Sequence, residues 1–242
     1  MPTRQKILSS LGSFNRVVGE TGVGISTFIK YLLGDDHSDQ AVEVRKADDA
    51  DLESCTTDLK PVPIKNAEIN VPPGRQLVIL DTPGFNNSNT ALADLIILQR
   101  IEQWLSLSYS SGIERLGVIY LHDITQSRVT SETLLLFRGL RALCRKPGFK
   151  TAVLLGTAKW PGEDGDVAKA HSREDQLENK FWKEMIGLGA GTGQFKNTKE
   201  SACEIVQQLL QMVFEQGSKG EGAVATDARK FSQGRRVKCV VC

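Results

Sequence analysis

The stretch Gly19-Glu20-Thr21-Gly22-Val23-Gly24-Ile25-Ser26-Thr27 stands between a short apolar segment and a helical pattern. It matches the phosphate-loop pattern G-x-x-x-x-G-K-[ST] at Gly19, Gly24 and Ser26, and Ile25 occupies the position of the lysine. Glycines let successive backbone N–H groups face phosphate oxygens, and the following helix adds the positive end of its dipole. The stretch therefore predicts a phosphate cradle, with a merely tight strand-to-helix turn as the alternative.

The missing lysine changes what this cradle is expected to do. A lysine at position 25 would meet the β- and γ-phosphates, and losing a charged hydrogen bond costs about 1.5–3 kcal/mol. Nucleotide binding would survive that loss better than hydrolysis, because the lysine also stabilises the transition state. Ser26 would offer its hydroxyl to a magnesium ion. The candidate phosphate contacts are Gly19, Thr21, Gly22, Val23, Gly24, Ile25, Ser26 and Thr27.

Two further motifs complete a nucleotide site. Asp81 ends an apolar strand and begins the sequence D-T-P-G, in which Asp81 would hold magnesium through a water and the N–H of Gly84 would sense the γ-phosphate. Alone, this sequence is also a common strand-to-turn connection. Between the two motifs, Thr56 is the first choice and Thr57 the second for a threonine that closes over magnesium.

Composition describes a folded body with a basic tail. The 242 residues are 40% hydrophobic and carry a formal charge of +1, which argues against disorder and strong nucleic-acid binding. Residues 217–242 hold six basic and two acidic side chains (+4), so residues 1–216 hold 24 and 27 (−3). No apolar run reaches the roughly 18 residues of a membrane helix. The lack of a secretory signal and the five cysteines predict a reducing, cytoplasmic location.

Apolar runs alternate with helical patterns and predict an α/β fold with a mainly parallel sheet covered on both faces. We expect an N-terminal extension (1–13), one domain (14–216) and a flexible tail (217–242). The predicted strands are Arg16–Val18, Ala67–Val71, Leu77–Leu80, Gly117–Leu121 and Thr151–Leu155, with a hairpin turn at Pro72–Gly74. The predicted helices are Ser26–Leu33, Ala91–Leu107, Ser131–Cys144, Ser172–Ile186 and Ser201–Glu215, with capping boxes at Ser172 and Ser201 and C-terminal caps at Gly34 and Gly217.

The chain resembles the septin-like and immunity-associated (avirulence-induced-gene, AIG-like) branch of P-loop GTPases, and within it the G domain-containing proteins abundant in fungi. The resemblance covers roughly residues 14–214 and implies a Ras-like three-layer fold, GTP and Mg²⁺, and pairing through the G domain. The motifs that carry it are G-E-T-G-V-G-x-S-T-F-I-x-Y-L-L-G (19–34), E-S-C-T (53–56), D-T-P-G-F (81–85), G-V-I-Y-L-H (117–122), T-x-K-W (157–160) and S-A-x-E-I (201–205).

The chain also departs from GTPase patterns. Thr157-Ala158-Lys159-Trp160 stands where most GTPases carry N-K-x-D, so the Asp that accepts from guanine N1 and N2 is absent. Thr157 and Lys159 remain candidate base contacts, with an exposed strand-end lysine as the alternative. We assign His122 no catalytic role, and the residue that would orient a water is unknown. These patterns predict a GTP-binding switch with slow or impaired hydrolysis; the alternatives are a pseudo-GTPase interaction module and, less well supported, a P-loop ATPase or kinase.

The final residues Cys239-Val240-Val241-Cys242 have the C-a-a-X form of a prenylation site, although a terminal Cys is not a usual X residue. The adjacent Arg235, Arg236 and Lys238 would add attraction to an anionic membrane of about 1 kcal/mol each. The alternatives are an inert tail and a C-x-x-C redox or metal pair. The tail thus predicts membrane association on the cytosolic face, with Cys239 as the lipidation candidate.

Overall fold

Strands and helices alternate along the chain. The computed structural model describes residues 13–19, 22–33, 60–71, 77–81, 115–145, 150–162 and 165–218. Within these ranges the strands are β1 (Ser13–Gly19), β2 (Lys60–Ile64), β3 (Leu77–Asp81), β4 (Arg115–Asp123), β5 (Lys150–Ala158) and β6 (Gly191–Gln194). The helices are α1 (Ile25–Leu33), α2 (Ser131–Arg145), α3 (Val167–Gln176), α4 (Lys183–Gly187) and α5 (Lys199–Ser218), and a π-helical turn (Leu177–Phe181) lies between α3 and α4.

The six described strands form one sheet in the order β2-β3-β1-β4-β5-β6. All neighbouring pairs are parallel except β2 and β3. In register, Gly19 of β1 aligns with Leu121 of β4, and Asp123 of β4 aligns with Ala158 of β5. Because parallel strands end at the same edge, the last residues of β1, β3, β4 and β5 lie at one edge of the sheet, where the strand order switches from one side of β1 to the other.

Alternate strand residues face opposite layers of the molecule. Ile119 and Leu121 of β4 belong to a buried cluster with α1 and α5 on one face. Val118 and Tyr120 belong to a second cluster with α2, α3, the π turn and α4 on the other face. A mostly parallel sheet between two helical layers confirms the predicted α/β fold class.

The second strand is not where the sequence placed it. Residues 67–71 form a turn, in which the N–H of Ile69 donates to the carbonyl of Asn66 at 3.1 Å, so the predicted strand Ala67–Val71 is wrong. β2 lies earlier, at Lys60–Ile64, and pairs antiparallel with β3. Its sequence contains Pro61 and Pro63, and proline is disfavoured inside a sheet. Proline is tolerated there because β2 is the edge of the described sheet.

The predicted helix Ser172–Ile186 begins too late and is not continuous. α3 begins at Val167, since the carboxylate of Asp166 accepts from the N–H of Lys169 at 2.9 Å. Ser172 lies inside α3, so its predicted capping box is wrong. After Gln176 the chain forms the π turn before α4, a change that the apolar pattern did not indicate.

The last helix is longer than predicted at both ends. α5 begins at Lys199, where the Thr198 hydroxyl accepts from the N–H of Ser201 at 3.2 Å, so the predicted cap at Ser201 is wrong. It ends at Ser218, so Gly217 lies inside the helix.

The predicted helix Ala91–Leu107 and Gly34 lie outside the described residues. No helix in the described ranges combines the length and apolar character that crossing a membrane requires.

Candidate nucleotide site

Two glycines in the loop after β1 have positive φ. Gly22 has φ +81° and Gly24 has φ +105°, values that only glycine adopts without strain. α1 begins directly after Gly24, whose carbonyl accepts from the N–H of Phe28 at 2.8 Å in the first helical turn. A Cβ placed on Gly22 would meet no atom of the described residues within 4 Å. Ser26 and Thr27, both partly exposed, stand at the helix N-terminus.

Ile25, which occupies the lysine position of the loop pattern, is part of the hydrophobic core. Its side chain is only 7% exposed and belongs to the buried cluster that joins α1, α5 and the sheet. Val23, at 2%, packs in the same cluster. The buried side chains of Val23 and Ile25 therefore anchor the loop to the core through apolar contacts. Ile25 has no charge to offer a phosphate.

The other predicted phosphate and metal residues are described only in part. Asp81 is the last residue of β3, and its backbone pairs with Val17 of β1, so it stands at the same edge of the sheet as the loop. With Ser26 it is the described part of the predicted magnesium set. Thr21, Thr56, Gly84 and the lipidation candidate Cys239 lie outside the described residues.

Lys159 is fixed at the end of β5 by a residue that the sequence analysis did not select. Its Nζ lies 2.7 Å from Oδ2 of Asp123, and its own backbone is left-handed, with φ +60°. Oδ1 of Asp123 accepts from the N–H and the hydroxyl of Thr125, at 2.9 and 2.6 Å. Burial raises the pKa of Asp123, but hydrogen bonds from Lys159 and Thr125 outweigh burial and hold that pKa below its ordinary value of 3.8. The D-x-T spacing after a strand was the signal for this carboxylate.

Thr157 hydrogen-bonds to a second carboxylate, that of Glu174, at the same edge of the sheet. Its fully buried hydroxyl donates to Oε1 of Glu174 at 2.9 Å and accepts from the indole N–H of Trp160 at 3.0 Å. The side-chain amide of Gln194 donates to Oε2 of Glu174 at 2.6 Å. Glu174, 14% exposed, thus spans the ends of β5 and β6. Sequence spacing gave no signal for Glu174, because it comes from the middle of α3.

His122 belongs to the packing and not to this site. It is buried in β4, and its Nδ1 lies 3.0 Å from the hydroxyl of Tyr120. Its ring also lies near those of Phe137 and Trp182, with centroids 6.3 Å away in each case. These contacts are in keeping with the structural role expected of His122.

Comparison with known proteins adds a likeness to solved structures. No family model matches the chain, and no curated protein matches its sequence significantly. The chain is similar to a crystal structure described as nucleolar GTP-binding protein 1 from Plasmodium falciparum, with a TM-score of 0.44 and 14% sequence identity over 87% of this chain and 90% of that chain. At this level of similarity the function of that protein does not transfer to this chain.

Proposed function

We propose that this chain binds a guanine nucleoside triphosphate with Mg²⁺ at the carboxyl edge of its sheet. The observation that carries the proposal is the loop with Gly22 and Gly24 at positive φ, set between the central parallel strand β1 and the N-terminus of α1. Backbone N–H groups and a helix N-terminus in this position suit phosphate oxygens. Ser26, Thr56 and Asp81 would hold the metal, and Gly84 would respond to the γ-phosphate.

Hydrolysis is expected to be slow, which makes the protein a weak GTPase at most. The buried Ile25 offers no cation to the charge that develops in phosphoryl transfer. A cycle that spends long in the triphosphate state suits a switch whose output is carried by the loops around Thr56 and Gly84.

Recognition of the base would come from the polar groups that meet at the ends of β5 and β6. Lys159, fixed by Asp123, would lie along the base. Glu174 is a carboxylate bonded to Thr157, the first residue of the T-A-K-W sequence that lacks an Asp, and we infer that it accepts from N1 and N2 of guanine. Its bonds to Thr157 and Gln194 orient both oxygens and leave further lone pairs for a ligand.

The test compares two glycines at which any other residue would be strained in the same way. Gly22 and Gly189 both have positive φ, and a Cβ on either meets nothing within 4 Å. Gly22→Ala and Gly189→Ala should therefore lower stability alike, by roughly 1 kcal/mol. We expect Gly22→Ala alone to weaken binding of a fluorescent GTP analogue tenfold or more. Failure of the wild-type chain to bind GTP or ATP at high micromolar protein, or equal binding by both variants, would overturn the proposal.

The second candidate function is a pseudo-GTPase, a folded interaction module that needs no nucleotide. The burial of Ile25 in the core favours it, since packing has replaced charge at that position. Ile25→Lys separates the two functions. A large gain in affinity or turnover supports a weakened nucleotide site, whereas a chain that stays inert with lysine restored supports the interaction module.

The basic tail, residues 217–242, is proposed to bring the chain to an anionic membrane surface through Cys239 and its basic neighbours. Cys239→Ser should move the protein from the membrane to the supernatant fraction in cells. Unchanged fractionation would remove lipidation from the proposal and leave nucleotide binding untouched.

Pairing of two chains through the nucleotide-binding face is likewise proposed, and a nucleotide-dependent change of mass in solution would test it.

A further inference from the structure

A cavity of about 330 Å³ lies between the segment after β4 and the end of α3. One wall consists of His122, Ile124 and residues 126–129; the other comes from α3 and the π turn and consists of Arg173, Gln176, Leu177, Lys180 and Phe181. Ile124 and Leu177, both buried, supply apolar surface, and Phe181 adds a partly exposed ring. The volume falls within the range of small-molecule sites, and the apolar floor with a polar margin is their usual composition.

The margin of the cavity is cationic. Arg128, Arg173 and Lys180 line it, and no carboxylate is among the described residues that line it. Nη1 of Arg173 donates to the carbonyls of Ile124 and Thr125, at 3.0 and 2.8 Å, and so ties the two walls together. A guanidinium has five N–H donors, of which only those on Nη1 make bonds among the described residues. Arg128 and Lys180 are exposed at the opening.

A π turn forms part of this wall. The N–H of Trp182 donates to the carbonyl of Leu177 at 2.7 Å, which inserts one extra residue into the helical repeat. Leu177, Lys180 and Phe181 belong to this turn and line the cavity, and the Lys180 ammonium lies 5.3 Å from the centre of the Phe181 ring. π turns inside helices are frequent at functional sites because they interrupt regular packing.

The cavity is distinct from the candidate phosphate loop and adjoins the candidate base contacts, since Arg173 directly precedes Glu174 in α3. Its floor belongs to the buried cluster on the α2 and α3 face, whereas Val23 and Ile25 belong to the cluster on the α1 and α5 face. None of its lining residues is a candidate nucleotide contact. We propose that this cavity is a second binding site, for a small organic anion that joins a phosphate or carboxylate to an apolar body. The anion faces the three cations, and the body lies on Ile124, Leu177 and Phe181.

Phenyl phosphate is a suitable probe because it carries both parts of this ligand. We expect saturable, single-site binding by titration calorimetry, with inorganic phosphate and benzyl alcohol each binding more weakly. Arg128→Gln and Lys180→Gln should each weaken binding about three- to tenfold. The matched control is Lys30→Gln, which removes an exposed cation from α1 on the other face and should leave binding unchanged.

Three results would overturn the proposal. They are no binding at millimolar phenyl phosphate, equal weakening by Lys30→Gln, and displacement of the probe by a non-hydrolysable GTP analogue. Phe181→Ala provides an independent check, since it should weaken phenyl phosphate and leave inorganic phosphate unaffected. Thermal unfolding of each variant confirms that the chain is folded. Loss of GTP binding in Gly22→Ala with phenyl phosphate binding retained distinguishes the two sites.

Discussion

The ammonium of Lys159 lies 2.7 Å from Oδ2 of Asp123, and this contact joins the ends of β5 and β4. The left-handed backbone at Lys159 makes the segment after β5 strained, and the ion pair helps to hold it. The candidate base contact is therefore positioned by a neighbouring strand and not by its own loop alone.

Replacing Asp123 should change how stability depends on pH. Its pKa is lower in the folded chain than its ordinary value of 3.8, so its contribution is present above that value and is lost as pH falls through the lowered pKa. We expect Asp123→Asn to lose about 1 kcal/mol at pH 7 and less near pH 3. Urea unfolding at both pH values measures this. Asp175→Asn, an exposed carboxylate on α3, is the control, and an equal loss at both pH values in Asp123→Asn would contradict the prediction.

Glu174→Gln tests the proposed base contact. The glutamine carbonyl can still accept from Thr157, whereas its amide cannot accept from guanine as a carboxylate does. We expect GTP to bind about tenfold more weakly and ATP to bind unchanged, which competition against a fluorescent analogue measures. Glu178→Gln, in the π turn, should change neither. A retained preference for GTP in Glu174→Gln would show that another group reads the base.

The start of α5 offers a test of stability outside the site. The Thr198 hydroxyl accepts from the N–H of Ser201 and so satisfies one of the free donors at the helix N-terminus. Thr198→Ala should lower the free energy of unfolding by about 1 kcal/mol, and Thr198→Ser, which keeps the hydroxyl, should restore most of it. Equal stabilities of the alanine and serine variants would mean that the cap contributes nothing.

The thiol of Cys144 should react slowly with alkylating reagents in the folded chain. Burial raises the pKa of this cysteine to about 11 from an ordinary 9.0. At pH 8 the thiolate fraction then falls roughly a hundredfold, and the thiolate is the reacting form. Labelling with iodoacetamide, followed residue by residue by mass spectrometry, should be slow at Cys144 until urea is added. Equally fast labelling with and without urea would contradict this assignment.

The sequence predicted those features that depend on local chemistry. Gly22 and Gly24 were identifiable because few other residues adopt their backbone conformation, and the loop is where the pattern put it. β3, β4 and β5 were found because they are apolar runs. β2 was missed since prolines do not indicate a strand, and β6 (Gly-Thr-Gly-Gln) has no apolar pattern at all.

The contacts around the candidate site could not be predicted in the same way. Asp123 and Lys159, and Thr157 and Glu174, are distant in the sequence and meet only through the sheet order and the placement of α3. No spacing rule connects them. The end of α3 was also unpredictable, because the π turn continues the apolar pattern while changing which side chains face outward.

The two prolines of β2 have a consequence for how the protein behaves at high concentration. Pro61 and Pro63 are two residues apart, so the N–H groups they lack belong to the same side of the strand. Since β2 keeps its ladder with β3 on the other side, the missing donors lie on its outward side. A strand from another molecule that approached this side of β2 would lack the backbone N–H donors of Pro61 and Pro63 for a complete set of strand-to-strand hydrogen bonds. The same residues that concealed this strand in the sequence thus disfavour edge-to-edge pairing at this edge of the described sheet.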